Sequence, residues 1–193
     1  MDLMGKKSAQ KKLSKEAEAK RIARLTKRGQ SKYVEVRGSE IHGRGVYAVK
    51  PIPNEEYFIE YVGNLISKKE SEKRAWKQFA KAEKSGVAAV YIFNLTNKWD
   101  LDGDVEWNPA RLINHSCNPN SEAVQDGKRV YLQALRDIEV DEEITFDYGF
   151  DVDCYKDHPC RCGADCCVGY IVGREFHDEL AKRIAAEQDT PED

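Results

Sequence analysis

Five of the six cysteines crowd into fourteen positions as Cys154, Cys160, Cys162, Cys166 and Cys167, and the sixth, Cys117, stands far upstream. Such a cluster restricts the fold more than any other feature of the chain, because thiols this dense are either oxidised in pairs or gathered by a metal. Cys160 and Cys162, separated by one residue, suit the short ligand loops of a tetrahedral metal better than a disulfide with each other. The N-terminus is basic but lacks the apolar stretch of a secretory signal. The expectation is therefore an intracellular chain whose cysteines bind metal.

Length and composition allow one domain with a core and an extra segment. The chain has 193 residues, 40% hydrophobic and 34% charged, too few for two ordinary domains. No apolar run approaches the roughly 20 residues that a bilayer span needs, so no membrane role is expected. The net charge of −3 conceals an asymmetry: residues 1–32 hold eleven Lys or Arg against three acids, a local +8 that leaves −11 for the rest. A basic arm on an acidic body suggests two electrostatic tasks: nucleic acid or an acidic surface for the arm, a basic polypeptide for the body.

Along the chain, residues 5–30 space Leu13, Ala17, Ile22 and Leu25 as a basic helix ending near Gly29 would, although a solvated tail accounts for the same composition. From Tyr33 the pattern turns to short strands at 33–37, 46–49, 57–62, 91–95, 129–135 and 143–146. Lys68 to Lys84 puts Ala75, Trp76, Phe79 and Ala82 at helical spacing and stops at Gly86. Phe176, Leu180 and Ile184 mark a C-terminal helix from Arg174 to about Glu187. The class expected is mostly β, with a few peripheral helices.

Three stations carry chemistry. In Ile41-His42-Gly43-Arg44-Gly45, the paired glycines allow a sharp turn and close approach to a ligand, though such a pair more commonly links two strands. Asn114-His115-Ser116-Cys117-Asn118-Pro119-Asn120 is an irregular turn rich in hydrogen-bonding groups, in which His115 alone is equally a structural histidine. Phe146-Asp147-Tyr148-Gly149 leaves a phenol at a strand end, which by itself is simply a packed tyrosine.

Taken in this order and followed by Cys160-Arg-Cys162-Gly-Ala-Asp-Cys166-Cys167, the stations resemble the SET-domain lysine methyltransferases that carry a post-SET zinc module. The likeness runs over about residues 33 to 172 and includes Glu60-Tyr-Val-Gly63, Tyr91, Arg111-to-Pro119 and Ala134-to-Ile138. It implies small curved β-sheets with a knot-like crossing where the Asn-His-Ser and Phe-Asp-Tyr segments meet. The implied division is an arm at 1–32, a SET domain at 33–150, a post-SET zinc segment at 151–172, and a helix and tail at 173–193.

The resemblance also implies roles. S-adenosylmethionine would be held by His42, Gly43, Arg44, Gly45, Asn114, His115 and Arg161, with Tyr170 at its edge. Tyr148 would be catalytic, and Tyr91 would line both the cofactor pocket and a lysine channel. Phe146 takes the position that governs product multiplicity. Phenylalanine there implies capacity for di- or trimethylation, unless it merely packs and its neighbours set the limit. Structural zinc would be bound by Cys117, Cys160, Cys162 and Cys167, the register open by one because Cys166 adjoins Cys167; Cys154 is left as a free thiol.

The implied substrate is a basic protein, histone or histone-like, with nucleus or chromosome as the compartment in a eukaryotic setting. Asp100, Asp102, Asp104, Glu106, Asp147, Asp151 and Asp153 form either a groove for such a substrate or ordinary solvated surface. Two other readings remain at this stage: a catalytically silent peptide-binding module, and a nucleic-acid binder in which residues 1–32 dominate. Oligomeric state is not legible.

Overall fold

A computed structural model of the chain describes residues 14–85 and 91–188. The first thirteen residues of the basic arm lie outside that range, as do the expected helix stop at Gly86 and the side chains of Phe79 and Ala82.

The arm from Lys15 to Gly29 is a helix, α1. Ser14 caps it by accepting from the Ala17 N–H at 3.2 Å, with Glu16 and Glu18 in the first turn and Lys27 and Arg28 in the last. Both ends thus complement the helix dipole. Leu25 and Gly29 are buried on the body, so this part of the arm is a docked helix rather than a solvated tail. β1 (Val34–Gly38), β2 (Arg44–Ala48), β3 (Tyr57–Tyr61), β4 (Asn64–Ser67), α2 (Lys68–Ser85), β5 (Ile92–Asn94) and β6 (Trp99–Asp102) follow. After a 3-10 turn at Pro109–Leu112 come β7 (Asn114–His115), β8 (Ser121–Asp126), β9 (Arg129–Ala134) and β10 (Glu143–Phe146). The chain then passes through irregular segments to α3 (His177–Gln188), whose entry at Arg174–Phe176 is a 3-10 turn.

The strands form two small sheets. The larger runs β1-β2-β10-β8-β9-β3, with β7 also against β10; the smaller runs β4-β6-β5. Strand periodicity explains the core. Val46, Ile144, Leu132 and Val130 alternate inward from β2, β10 and β9 and are almost wholly buried with Ile52, Ile113 and Ile138. A separate cluster of Val152, Tyr155, Val172 and Leu180 anchors α3.

The acidic residues read as groove or surface divide differently. Asp100 and Asp102 are 1% and 3% exposed, on β6. Lys68 donates to Asp100 and Arg74 to Asp102, each at 2.5 Å, so these carboxylates fasten α2 to the small sheet. Asp147 accepts from the backbone N–H groups of Gly149 and Arg174, and Asp151 from that of Asp153. Local and tertiary bonds therefore account for most of the set.

Candidate active site

The site forms where β10 meets β7. The two strands run parallel, with Thr145 opposite Asn114 and Phe146 opposite His115. β2 borders β10 on its other side, so the glycine turn before β2 reaches the same junction. Asn114 is buried, and four oxygens lie within reach of its Nδ2: Glu143 Oε1 (2.7 Å), Ser39 Oγ (3.0 Å), and the carbonyls of Arg44 (3.2 Å) and His42 (3.3 Å). An amide has two N–H donors, so this acceptor cage fixes the plane of Asn114 rather than satisfying a single partner. Glu143 also accepts from Tyr47 and Ser39. Gly45 is glycine for this reason: a Cβ there would stand 2.3 Å from Glu143 Oε1. Its close approach is to Glu143, whereas Gly43, at φ +50°, opens onto free space beside His42.

His115 is 3% exposed. Burial draws its imidazole down to about 4 despite the opposing Asp147 carboxylate, so the ring is neutral. The Tyr148 N–H donates to its Nδ1 at 3.3 Å. The ring hydrogen then belongs on Nε2, which lies 3.7 Å from Cys117 Sγ. Tyr148 donates its hydroxyl hydrogen to the Ile113 carbonyl at 2.9 Å. Burial, reinforced by the neighbouring Tyr91, pushes this phenol well above its usual range, so it stays protonated near neutral pH and cannot act as a resident base.

Tyr148 separates two clefts. One is lined by Ile41, His42, Asn114, His115, Cys160 and Arg161, closed at its edge by Pro159 and Ile171. The other, about 280 Å³, is lined by Tyr61, Tyr91, Phe93, Arg111, Phe146 and Phe150 among others. Tyr148 belongs to both; Tyr91 belongs to the aromatic cleft alone. Arg44 contributes its carbonyl to Asn114 and does not line the first cleft. Tyr170 turns away to pack edge-on against Tyr155, with ring centroids 4.7 Å apart.

The four sulfur atoms of Cys117, Cys160, Cys162 and Cys167 lie within 4.8 Å of one another. Cys117 Sγ is 3.8 Å from those of both Cys160 and Cys167. A tetrahedron with zinc–sulfur bonds of about 2.3 Å has edges of about 3.8 Å, whereas a disulfide needs about 2.05 Å. The donor set therefore fits zinc. Cys166 is exposed and outside the four, its Sγ 3.7 Å from the Cys117 carbonyl; Cys154 is exposed and free. The four thiols bring the Cys160–Arg161 wall of the first cleft against the turn that follows β7.

Several residues of the site escaped sequence reasoning. Glu143 and Tyr47 were read only as members of expected strands and motifs, without a role in the site, and Ser39 was not singled out at all. Phe93 stacks on Phe146 at 6.1 Å, and Tyr61 meets Phe93 edge-on at 4.7 Å. Arg111 lies 5.8 Å over the Tyr91 ring, its Nε buried with no acceptor among the described residues. An acid at the start of a strand, two residues before Thr145, was the one available signal for Glu143.

Comparison with known proteins agrees with this geometry. The family model described as "SET domain" matches residues 43–149, more than half of the chain. A Debaryomyces hansenii protein named "Histone-lysine N-methyltransferase, H3 lysine-4 specific" is 38% identical over 171 residues, which is 85% of this chain and 15% of that protein. Proteins of the same name from Chaetomium globosum and Candida albicans are 35% and 36% identical, over 83% and 82% of the chain and 15% of each relative. The chain thus spans about 15% of the length of these relatives. The match over residues 43–149 and the junction of Asn114-His115 with Phe146-Asp147-Tyr148 make the chain a member of the SET domain family.

Proposed function

We propose that the protein transfers methyl groups from S-adenosylmethionine to lysine side chains of a basic protein, histone H3 or a histone-like chain. The observation that carries the reading is Tyr148, the one lining residue common to a polar cleft and an aromatic cleft. A donor and an acceptor arriving from opposite sides meet at such a wall. In the polar cleft, His42, Asn114, His115 and Arg161 hold the cofactor, the Arg161 cation suiting a carboxylate. The aromatic cleft suits the aliphatic stem of a lysine and, through cation–π attraction, a methylated ammonium. The relatives' names mention H3 lysine 4, which is the first substrate to test.

A lysine amine titrates near ~10.4, so only about one in a thousand is neutral near physiological pH. S-adenosylmethionine, held by His42, Asn114, His115 and Arg161, would supply an electrophilic sulfonium methyl for the neutral amine and would itself leave as the thioether. The protein's part is orientation and desolvation. Tyr148 spends its hydrogen on Ile113, so its oxygen lone pairs face the reacting groups as acceptors and align the amine without taking on charge. Tyr91 and Phe93 exclude water. Phe146 offers no oxygen to hold a water or the amine, which leaves room for di- and trimethyl products. Zinc on the four thiolates is structural, completing the cleft wall.

The test incubates the protein with labelled S-adenosylmethionine and core histones or a panel of basic proteins. Transfer to lysine is expected, with a loss of about a hundredfold or more in Tyr148→Phe, and mass spectrometry should show di- or trimethyl-lysine. No transfer by zinc-loaded, cofactor-binding protein refutes the activity. Full activity in Tyr148→Phe refutes the role of Tyr148, and monomethyl-lysine alone at long times refutes the role of Phe146.

A further inference from the structure

A cleft of about 430 Å³ lies between α1 and the edge formed by β3, β4 and β9, sharing only Tyr61 with the aromatic cleft. Arg21, Arg24, Arg28, Lys128 and Arg129 line it against two carboxylates, Glu18 and Glu60, so an otherwise acidic chain carries a local surplus of three positive charges. Glu60 is the organiser. Its side chain is 5% exposed, and Arg28 and Arg129 both grip it through their Nε and Nη2 groups. Each guanidinium therefore has its Nη1 group without a protein acceptor among the described residues. Arg21 is similarly held, by Glu18 and by Asn64 Oδ1 at 2.6 Å. Arg24 and Lys128 are exposed and have no acidic partner among the described residues.

The occupant that fits is a polyanion. Guanidinium groups fixed in position, each with an Nη1 left to donate, favour anionic oxygens, above all those of phosphates. The charge is also drawn out in a line rather than closed around a point. Lys20, Arg24 and Lys27 recur at helical spacing on the exposed side of α1, over about 10 Å at 1.5 Å per residue, with Lys20 paired to Glu16 at 2.6 Å. A single phosphate group would leave most of that line unused, whereas a nucleic-acid backbone would follow it. We infer that the α1–β9 cleft is a docking site for the phosphate backbone of duplex DNA, bound without regard to sequence while the catalytic clefts stay free.

Fluorescence anisotropy of the full chain with two unrelated labelled duplexes tests this, between about 50 and 200 mM salt. The expected result is binding of both duplexes with a steep salt dependence. In Arg24→Gln/Lys128→Gln the slope of log K against log salt should fall by about 2, weakening binding roughly ten- to sixty-fold at 0.1 M salt. Methyl transfer to a free peptide should be unchanged in this variant, which separates the inference from the reading of the active site. No binding at 50 mM salt overturns the inference. So does unchanged binding by the double variant, since the N-terminal lysines would then suffice. Displacement of the DNA by polyglutamate of matched charge also overturns it, and would assign the cleft to an acidic protein.

Discussion

Replacing Glu60 with Gln isolates what docks the N-terminal helix. The carboxylate receives four charge-assisted hydrogen bonds, two each from Arg28 and Arg129. In full burial, breaking such an arrangement costs about 3–5 kcal/mol. Here the Arg28 and Arg129 side chains are 34% and 46% exposed and water can replace part of what they lose. Gln also keeps one oxygen that can accept from either arginine. A loss of about 2–3 kcal/mol follows. For a chain of this size each kcal/mol is worth roughly 2–4 °C, so melting should fall by about 5–10 °C near neutral pH. Deuterium exchange should place the loss in residues 15–29.

The pH dependence of that difference has a definite sign. Burial works to raise the Glu60 carboxyl, and the Arg129 and Arg28 guanidiniums outweigh it, leaving it below the ordinary 4.5. A lowered folded-state value stabilises above the unfolded value and fades as pH falls through the folded one. The gap between wild type and variant should therefore be full at neutral pH and begin to close only below about pH 4.5. Equal melting of the two proteins at neutral pH, with unchanged exchange in α1, would refute the clamp.

Two further substitutions probe the site. Cys166→Ser should leave zinc near one ion per chain and Cys167→Ser should lose it, as metal analysis of the purified proteins will report; the reverse result would move the ligand register by one. Glu143→Gln removes the charge that collects Asn114, Ser39 and Tyr47. Cofactor affinity by calorimetry should fall about tenfold, an effect on the order of 1–2 kcal/mol, while circular dichroism stays unchanged. Unaltered affinity would show that Asn114 keeps its orientation without Glu143.

The parts of this molecule legible in the sequence are those with short-range causes. Strand alternation around Val34, Val46, Tyr57, Arg129 and Ile144 located five strands of the main sheet, and Leu180 and Ile184 located α3. The cysteine spacing, with the family likeness, named four thiols that do lie together. The rest depends on partners distant in sequence. Asp100 and Asp102 look like solvated acids until Lys68 and Arg74 arrive from α2. β4 was missed because Gly63-Asn64 reads as the end of a strand, yet Asn64 begins one and pairs with Asp102. α1 docks through Glu60, 32 residues away from Arg28. Phe93 lay within an expected strand, but nothing local announced that it would stack on Phe146.

The parallel pairing of β10 with β7 also governs when the site comes into being. Asn114 and Thr145 must find each other across some thirty residues, with the β8–β9 hairpin lying between them in sequence. Contacts of such separation are slow to form, because chain entropy is lost before any contact is gained. Neither cleft exists in a chain that has folded only its hairpins. During synthesis the site is therefore absent until one of its last strands inserts, and a partly folded molecule has no half-built pocket.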